Sequence, residues 1–336
     1  MSFGDIIGQE ELCERLGTTI GQTVAQSFLF TAPAGMGKHL FADELARSLV
    51  CSNPTKSGGC GKCDNCVYFK AGTHPDVRRY ETDKGKKSIS VATIREDLIP
   101  DTAMASQIAD RKVYIINIGN IELKYQNLLL KVLEEPPRGV VFILLCTDAS
   151  LVLPTIMSRV VEFKMRPYTE EEIFKILSKH NEADLPEDKL RFFSSFSAGI
   201  PGKGLTLMGD EDFISEREEV FELLLKIPKR DYAGLMYEDF EFFSSRQDRI
   251  SDILLLMMWF LGDLSSLLAS MDTKGIRNTD KVDRMRAFLS ENKGITLKNM
   301  YNASEAVTAF NRDVKARVNF EAACCTMLLK MKKEFT

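Results

Sequence analysis

The stretch "FTAPAGMGKH", Phe30 to His39, decides how the rest of the chain is read. A phosphate-binding loop follows the pattern G-x-x-x-x-G-K-[ST]: its glycines let backbone amides close around phosphate, and its final hydroxyl ligates Mg²⁺. Laid on Ala32 to His39, the pattern keeps Gly37 and Lys38, puts Ala32 at the first glycine and replaces the hydroxyl with His39. Before the loop, Phe28-Leu29-Phe30-Thr31 is compact and apolar, as a buried strand is. After it, His39 to Val50 carries Leu40, Phe41, Leu45, Leu49 and Val50 at the mixed three- and four-residue spacings of a half-buried helix. Strand, glycine loop and helix in this order are the context such a loop needs.

Working outward, Val113-Tyr114-Ile115-Ile116 and "VVFILLC", Val140 to Cys146, are too apolar for an exposed sheet and predict two more buried strands. Between them Leu123 to Glu135 predicts a helix with Leu128, Leu129, Val132 and Leu133 inward. Pro136-Pro137 ends it, because proline cannot continue the hydrogen-bond ladder. Val160-Val161-Glu162-Phe163 predicts a short last strand. From Thr169 the pattern turns helical, and "TEEEIFKIL" sets Thr169 three residues before Glu172 as a capping box does. Gly199, Pro201, Gly202 and Gly204 break the pattern once. From about Asp210 onward the chain reads as amphipathic helices, with no strand required after Thr169. The alternation in the first half implies a parallel sheet flanked by helices, and the second half an all-α region.

With 336 residues and 44% hydrophobic content the chain can bury a sizeable core in two or three domains. Lys and Arg total 44 against 48 Asp and Glu, a net charge of −4, so no global electrostatic attraction to nucleic acid is expected. The start, "MSFGDIIGQEELCERL", lacks the basic-then-apolar order of a secretory signal, and a cytoplasmic location is expected. "ILLLMMWFL", Ile253 to Leu261, is much shorter than the roughly 20 residues that cross a bilayer and predicts a buried helix rather than a membrane span.

Disulfides are rare in the cytoplasm, so the eight cysteines are read as metal ligands or core. Cys51, Cys60, Cys63 and Cys66 form C-x8-C-x2-C-x2-C, with Gly58, Gly59 and Gly61 permitting tight backbone around the sulfurs. Such spacing predicts a four-thiolate structural Zn²⁺ site with no open position for catalysis. An iron–sulfur cluster and reduced, unliganded thiols are the alternatives. Cys13, Cys146, Cys324 and Cys325 lie in apolar patterns and read as small buried residues.

The near-P-loop, the helix running straight into a cysteine knot, "THPDVRRYE" (Thr73 to Glu81), "NLLLKVLEEPP" (Asn127 to Pro137) and "SRV" (Ser158 to Val160) stand together in one chain. In this combination the chain resembles the delta-prime subunits of the bacterial DNA polymerase III clamp loader. The likeness runs from "DIIGQE" at Asp5 to the "RVNFEAACCTMLLKM" stretch that starts at Arg317. The resemblance implies an AAA+ core over residues 1–164 with a zinc module at 51–66, a small helical lid over 165–209 and a helical collar over 210–336. It implies ATP-hydrolysing tau/gamma-type and delta-type subunits as partners in a pentamer, with the sliding clamp and primer-template DNA reached through the assembled complex.

Against that family the loop is worn. An active site of this kind needs a hydroxyl after the lysine for Mg²⁺ and an acidic pair after the second central strand. The chain supplies His39, whose imidazole is a poor ligand for a hard oxygen-seeking ion, and Asn117-Ile118. A non-hydrolysing, stator-like subunit is therefore expected. Gly35, Gly37 and Lys38 retain the means to hold an anion at a helix N-terminus, although the plainer reading is that they now only shape the turn, and ATP binding is not expected. The resemblance assigns Arg159 to an arginine finger acting in trans on a neighbour's ATP, and an exposed arginine pairing locally is the bland alternative. Thr147 stands at a sensor position, Lys203 near that of a lid sensor arginine, and Lys131 and Arg138 are placed to meet DNA phosphates. Each has a plainer structural reading as a strand cap, a loop lysine or solvated charge. His74 and Asp76 suggest a fifth metal ligand or an acid–base pair, and the plainer reading is a turn fixed by Pro75. Two other functions compete: an ATP-hydrolysing clamp-loader subunit, which His39, Asn117 and Ile118 oppose, and a free-standing zinc-finger nucleic-acid binder, which the net charge and the apolar C-terminal helices oppose.

Overall fold

The structure is a computed structural model that describes residues 2–20, 25–82, 88–270 and 275–335. Five strands, β1 (Ser27–Thr31), β2 (Val77–Tyr80), β3 (Lys112–Asn117), β4 (Val140–Cys146) and β5 (Val161–Lys164), form one sheet in the order β2-β3-β4-β1-β5. All its pairings are parallel. β1 and β4 are buried at every position, which is why they read as unbroken apolar runs. One face of the sheet packs Tyr114, Ile116, Phe142 and Leu144 against Ile94, Leu98, Leu129, Leu133 and Ile156. On the other face Phe30 stacks with Phe41 of the helix that follows the loop. Phe30 lies opposite Leu145 on one side and Phe163 on the other. With that register the loop after β1, Asn117 at the end of β3 and Thr147 just past β4 emerge at the same carboxyl edge, where open α/β sheets place their sites.

The sequence reading missed β2. It is a short edge strand whose middle residues, Arg78 and Arg79, are exposed, so it shows neither an apolar run nor clean alternation. The helix expected over Leu123 to Glu135 is interrupted: helical turns at Leu123–Gln126 and Leu130–Glu134 flank a 3₁₀ turn at Asn127–Leu129. Leu129 and Leu133 are buried and Leu128 and Val132 pack beside them, as expected.

Three helices matter for the site: α1 (Glu10–Ile20), α2 (Lys38–Val50) and α3 (Asp64–Lys70). The cysteine segment is the connection between α2 and α3. The chain separates into two compact units, Met1–Asn181 with Ser197–Leu205, and Glu182–Phe196 with Thr206–Thr336. The segment 165–209, expected as a lid, is shared between them. Helix Glu170–Lys179, with the Thr169–Glu172 capping box in place, belongs to the first unit. Helix Glu187–Phe196 belongs to the second, where Phe192 and Phe196 pack on Phe213 and Trp259.

The second unit is helical throughout its described residues, with long helices Glu211–Lys226, Ile250–Ser270, Leu297–Lys315 and Phe320–Phe335. Ile250–Ser270 is long and apolar enough, by length and composition, to cross a bilayer. It buries Ile253, Leu256, Met257, Phe260, Leu264 and Leu267 in the unit's core, and its buried Asp263 carboxylate accepts the backbone N–H groups of Arg277 and Asn278 at 3.0 and 2.9 Å. A carboxylate satisfied in this way belongs to a packed protein core, in agreement with the buried helix read from the sequence.

Candidate functional site

The glycine loop opens on a cavity of about 560 Å³ lined by loop residues 34–40, by Ile6 and Ile7 from the N-terminal segment, by Ile176 and Leu205, and by Asn117 and Thr147 from the strand ends. Gly35 and Gly37 have φ of 80° and 88°, a left-handed conformation that glycine adopts at little cost. At Gly35 a Cβ would also lie 2.9 Å from Ile200 Cγ2. Lys38 closes the loop on itself, and the Gly35 carbonyl ties it to the turn at Ile200 to Gly202. The Lys38 ammonium donates to the carbonyls of Ala32 and Pro33 at 2.5 and 2.8 Å, and burial pushes its pKa below the ordinary lysine value. The Gly35 carbonyl accepts the backbone N–H of Gly202 at 2.9 Å.

The positions that would hold Mg²⁺ carry other groups. His39 is exposed, with Nδ1 3.2 Å from Glu81 Oε1. Asn117 lines the cavity as an amide, and Ile118 is fully buried. Among the described residues the one carboxylate on the cavity wall is Asp5, and its Oδ2 accepts from the backbone N–H and hydroxyl of Ser2 at 2.6 and 3.0 Å. Thr147 is exposed at the cavity wall and Lys203 is half-buried.

Arg159 follows the short helix Pro154–Met157. Its Nη2 meets Glu134 Oε1 at 2.5 Å, with the side chains 34% and 45% exposed, and its Nη1 donates to the Thr155 carbonyl at 2.6 Å and to Ser158 Oγ at 3.0 Å. Glu134 is the first glutamate of the "LEEPP" motif. The structure thus joins two motifs that are separate in sequence. Lys131 and Arg138 are exposed.

Sequence reasoning passed over Gln126, which is fully buried. Its amide donates to the carbonyls of Ile118, Ile121 and Leu151 at 3.3, 3.1 and 2.7 Å, and its carbonyl accepts the Leu153 N–H at 3.0 Å. It therefore ties the segment after β3 to the one that leads into the helix before Arg159. A single glutamine in an amphipathic pattern carries no sequence mark of this role.

The four cysteines converge: their sulfurs all lie within 4.8 Å of one another, and Cys51 and Cys63 Sγ are 3.8 Å apart. Tetrahedral Zn–S bonds of about 2.3 Å require sulfurs roughly 3.8 Å apart, so the donor set fits the ion. Backbone N–H groups point at the sulfurs, those of Asn53 and Cys60 reaching Cys51 Sγ at 3.4 and 3.2 Å. Burial works against ionising Cys63, yet the N–H groups of Ser52 and Cys66 and its neighbouring thiols pull it down to about 6. Burial pushes Cys66 up to about 12, and a bound cation would ionise it. Cys51 caps the C-terminus of α2, and the Asn65 amide at the start of α3 donates to the Val50 carbonyl at 2.8 Å. The remaining cysteines lie outside this cluster. Cys146 and Cys324 are buried, while Cys13 and Cys325 are only half-buried.

His74 and Asp76 form a turn. The Asp76 carboxylate accepts the N–H groups of Gln107, Ile108 and Ala109 at 2.6, 2.8 and 2.9 Å, and His74 Nδ1 accepts the Asp76 N–H at 3.1 Å. Neither belongs to the cysteine cluster.

A parallel sheet of this strand order with a glycine loop after β1, and a separate helical unit, agrees with the AAA+ architecture that the resemblance implies. A family model described as DNA polymerase III, delta subunit, matches residues 8–169. The chain is 32% identical over 211 residues to DNA polymerase III subunit delta' of Pseudomonas aeruginosa, covering 62% of this chain and 63% of that one. It is 29% identical over 210 residues to subunit delta' of Escherichia coli, covering 62% of each. Subunit gamma of Buchnera aphidicola is 37% identical over 179 residues, covering 52% of this chain and 48% of that relative. The matches to the two delta' subunits thus span a little under two thirds of those relatives' length. These matches support a subunit of the DNA polymerase III clamp-loader family, in agreement with the resemblance its motifs carry to delta-prime subunits.

Proposed function

We propose that this chain is a non-hydrolysing, stator-like subunit of a replicative clamp loader, which helps to place the sliding clamp on primed DNA and presents Arg159 to the ATP site of a neighbouring subunit. The observation that carries the reading is the chemistry of the cavity wall. An imidazole engaged with Glu81, an amide at Asn117 and a buried Ile118 occupy the places of the Mg²⁺ hydroxyl and the acidic pair. Without a hydroxyl after Lys38 to ligate the metal or a carboxylate at the end of β3 to orient water, phosphoryl transfer lacks the groups that stabilise its charge. Lys38 supports the same reading, since its ammonium serves the loop's own carbonyls.

In trans, a guanidinium neutralises charge growing on the transferred phosphoryl group, and its planar fork suits the task better than an ammonium. The partners are ATP-hydrolysing tau/gamma-type subunits and a delta-type subunit. The cysteine cluster holds one structural Zn²⁺ through Cys51, Cys60, Cys63 and Cys66. It contributes no open coordination position and no catalytic step.

Mixing the chain with tau/gamma-type and delta-type subunits tests the proposal. The expected result is a stable hetero-pentamer with DNA-stimulated ATPase, formed by a chain that shows no turnover alone. Turnover by the isolated chain, or failure to join the assembly, contradicts it.

A further inference from the structure

An ion pair on the loop helix packs against the cysteine module, and its cation lines the same small cavity as Cys66. Glu44 and Arg47 lie one turn apart on α2, with side chains 5% and 11% exposed. Arg47 donates from Nε to Glu44 Oε2 at 3.1 Å and from Nη2 to Oε1 at 2.6 Å. Glu44 Oε1 in turn accepts the Gly59 N–H at 3.4 Å.

The glycines of the cysteine segment are shaped around this pair. A Cβ at Gly58 would meet Glu44 Oε1 at 2.1 Å. One at Gly59 would lie 3.2 Å from Arg47 Cγ and 3.3 Å from Cys66 Sγ, and one at Gly61 3.5 Å from Arg47 Nη1. The guanidinium therefore lies against the backbone between Cys51 and Cys63. Burial opposes its charge, but Glu44 and then the sulfurs of Cys66 and Cys51 hold Arg47 more firmly protonated than usual.

Four thiolates around a divalent ion leave a net charge of −2, and Glu44 adds a buried carboxylate beside it. Two anionic groups so close repel in a medium of reduced dielectric unless a cation stands between them. We propose that Arg47 is that cation: it holds the zinc tetrathiolate and the Glu44 carboxylate side by side and so sets how firmly the four cysteines retain the metal. The proposal rests on the zinc reading above. Arg47 touches no reacting group and acts only through the cluster. It also explains why the ligand-bearing segment is anchored to α2, since the helix that begins at Lys38 and is capped by Cys51 carries both members of the pair.

The test is zinc release from the full-length chain to a chromophoric chelator, with metal content measured beforehand. Partners behind metal ligands typically contribute 10- to 100-fold in affinity, so Arg47→Met should release zinc faster by about that factor, and Arg47→Lys by less. Adding Glu44→Gln to Arg47→Met should recover much of the loss, because the carboxylate left unpaired is gone. If Arg47→Met yields no folded chain, Arg47→Gln, with and without Glu44→Gln, makes the same comparison. Release at the wild-type rate from the single variant overturns the proposal. So does a double variant that loses zinc as fast as the single one, since packing and not charge would then be the cause. A wild-type chain without zinc refutes the zinc reading itself and is told apart by the metal content.

Discussion

Arg159→Ala separates the chemistry of the subunit from its scaffold, because the contacts of the arginine are few and local. The Glu134 pair, 34% and 45% exposed, contributes about 0–1 kcal/mol. The bond to the Thr155 carbonyl contributes about 1 kcal/mol more. The variant should therefore lose no more than about 2 kcal/mol and melt only several degrees lower. A finger acting in trans contributes about 10³ to 10⁵ in rate, equal to about 4–7 kcal/mol on the barrier of the one site it serves. The catalytic loss thus exceeds the structural one by a factor that misfolding cannot imitate. In an assembly with several ATP sites the other sites mask part of it, so total DNA-stimulated turnover should fall clearly but by less than the single-site figure. Reconstituted pentamers are to be compared by steady-state ATPase, clamp loading and melting temperature. Arg159→Lys should recover little, because an ammonium lacks the planar fork. Glu134→Gln should leave turnover at or above wild type, since it frees the guanidinium from a competing anion. If Arg159→Ala loaders assemble and hydrolyse ATP at the wild-type rate, the finger role is wrong and the local ion pair is the whole purpose of the residue.

The purified, reduced chain should contain about one zinc per molecule, as a single tetrahedral site implies, and Cys63→Ser should lower that content in elemental analysis. Lys38→Ala should leave the ATPase of the assembled loader nearly unchanged while lowering the melting temperature of the isolated chain, because two loop carbonyls lose their donor at a cost of roughly 1–2 kcal/mol. Gln126→Leu should destabilise the sheet-containing unit by about 2–4 kcal/mol, read by urea denaturation, since three carbonyls and one amide lose their partner in a buried site. A midpoint equal to wild type would show that solvent replaces the amide.

The parts of the fold that were legible in the sequence are those where a single physical demand acts on consecutive residues. β1 and β4 are covered on both faces, so each residue must be apolar, and the runs at Phe28 and Val140 declare themselves. The cysteine cluster was legible because one residue type recurs at short spacings, and the four sulfurs do converge. β2 was not, because an edge strand is constrained only at Val77 and Tyr80 and leaves Arg78 and Arg79 to solvent. The break at Asn127–Leu129 was hidden for a related reason: the apolar spacing of the segment fits an unbroken helix, and the 3₁₀ turn still buries Leu129. Gln126 and the Glu134–Arg159 pair depend on residues that are remote in sequence, and the Arg47–Glu44 pair shows only as an ordinary i, i+3 helix pair until the glycine segment folds over it.

The loop from Phe30 to His39 keeps Gly35, Gly37 and Lys38 but carries an imidazole where the Mg²⁺ hydroxyl would stand, and its geometry gives the retained residues other contacts. Left-handed backbone at Gly35 and Gly37 sets the turn, and Lys38 holds it by donating to the carbonyls of Ala32 and Pro33. In that shape the Gly35 carbonyl is presented to the Gly202 N–H, and the two glycines approach so closely that a Cβ at Gly202 would lie 2.7 Å from Gly35 Cα. A side chain at either position would separate the loop from the turn at Ile200 to Gly202. Residues that an active enzyme turns on phosphate here fasten the loop to that turn, the fixed arrangement that the proposed stator-like role calls for.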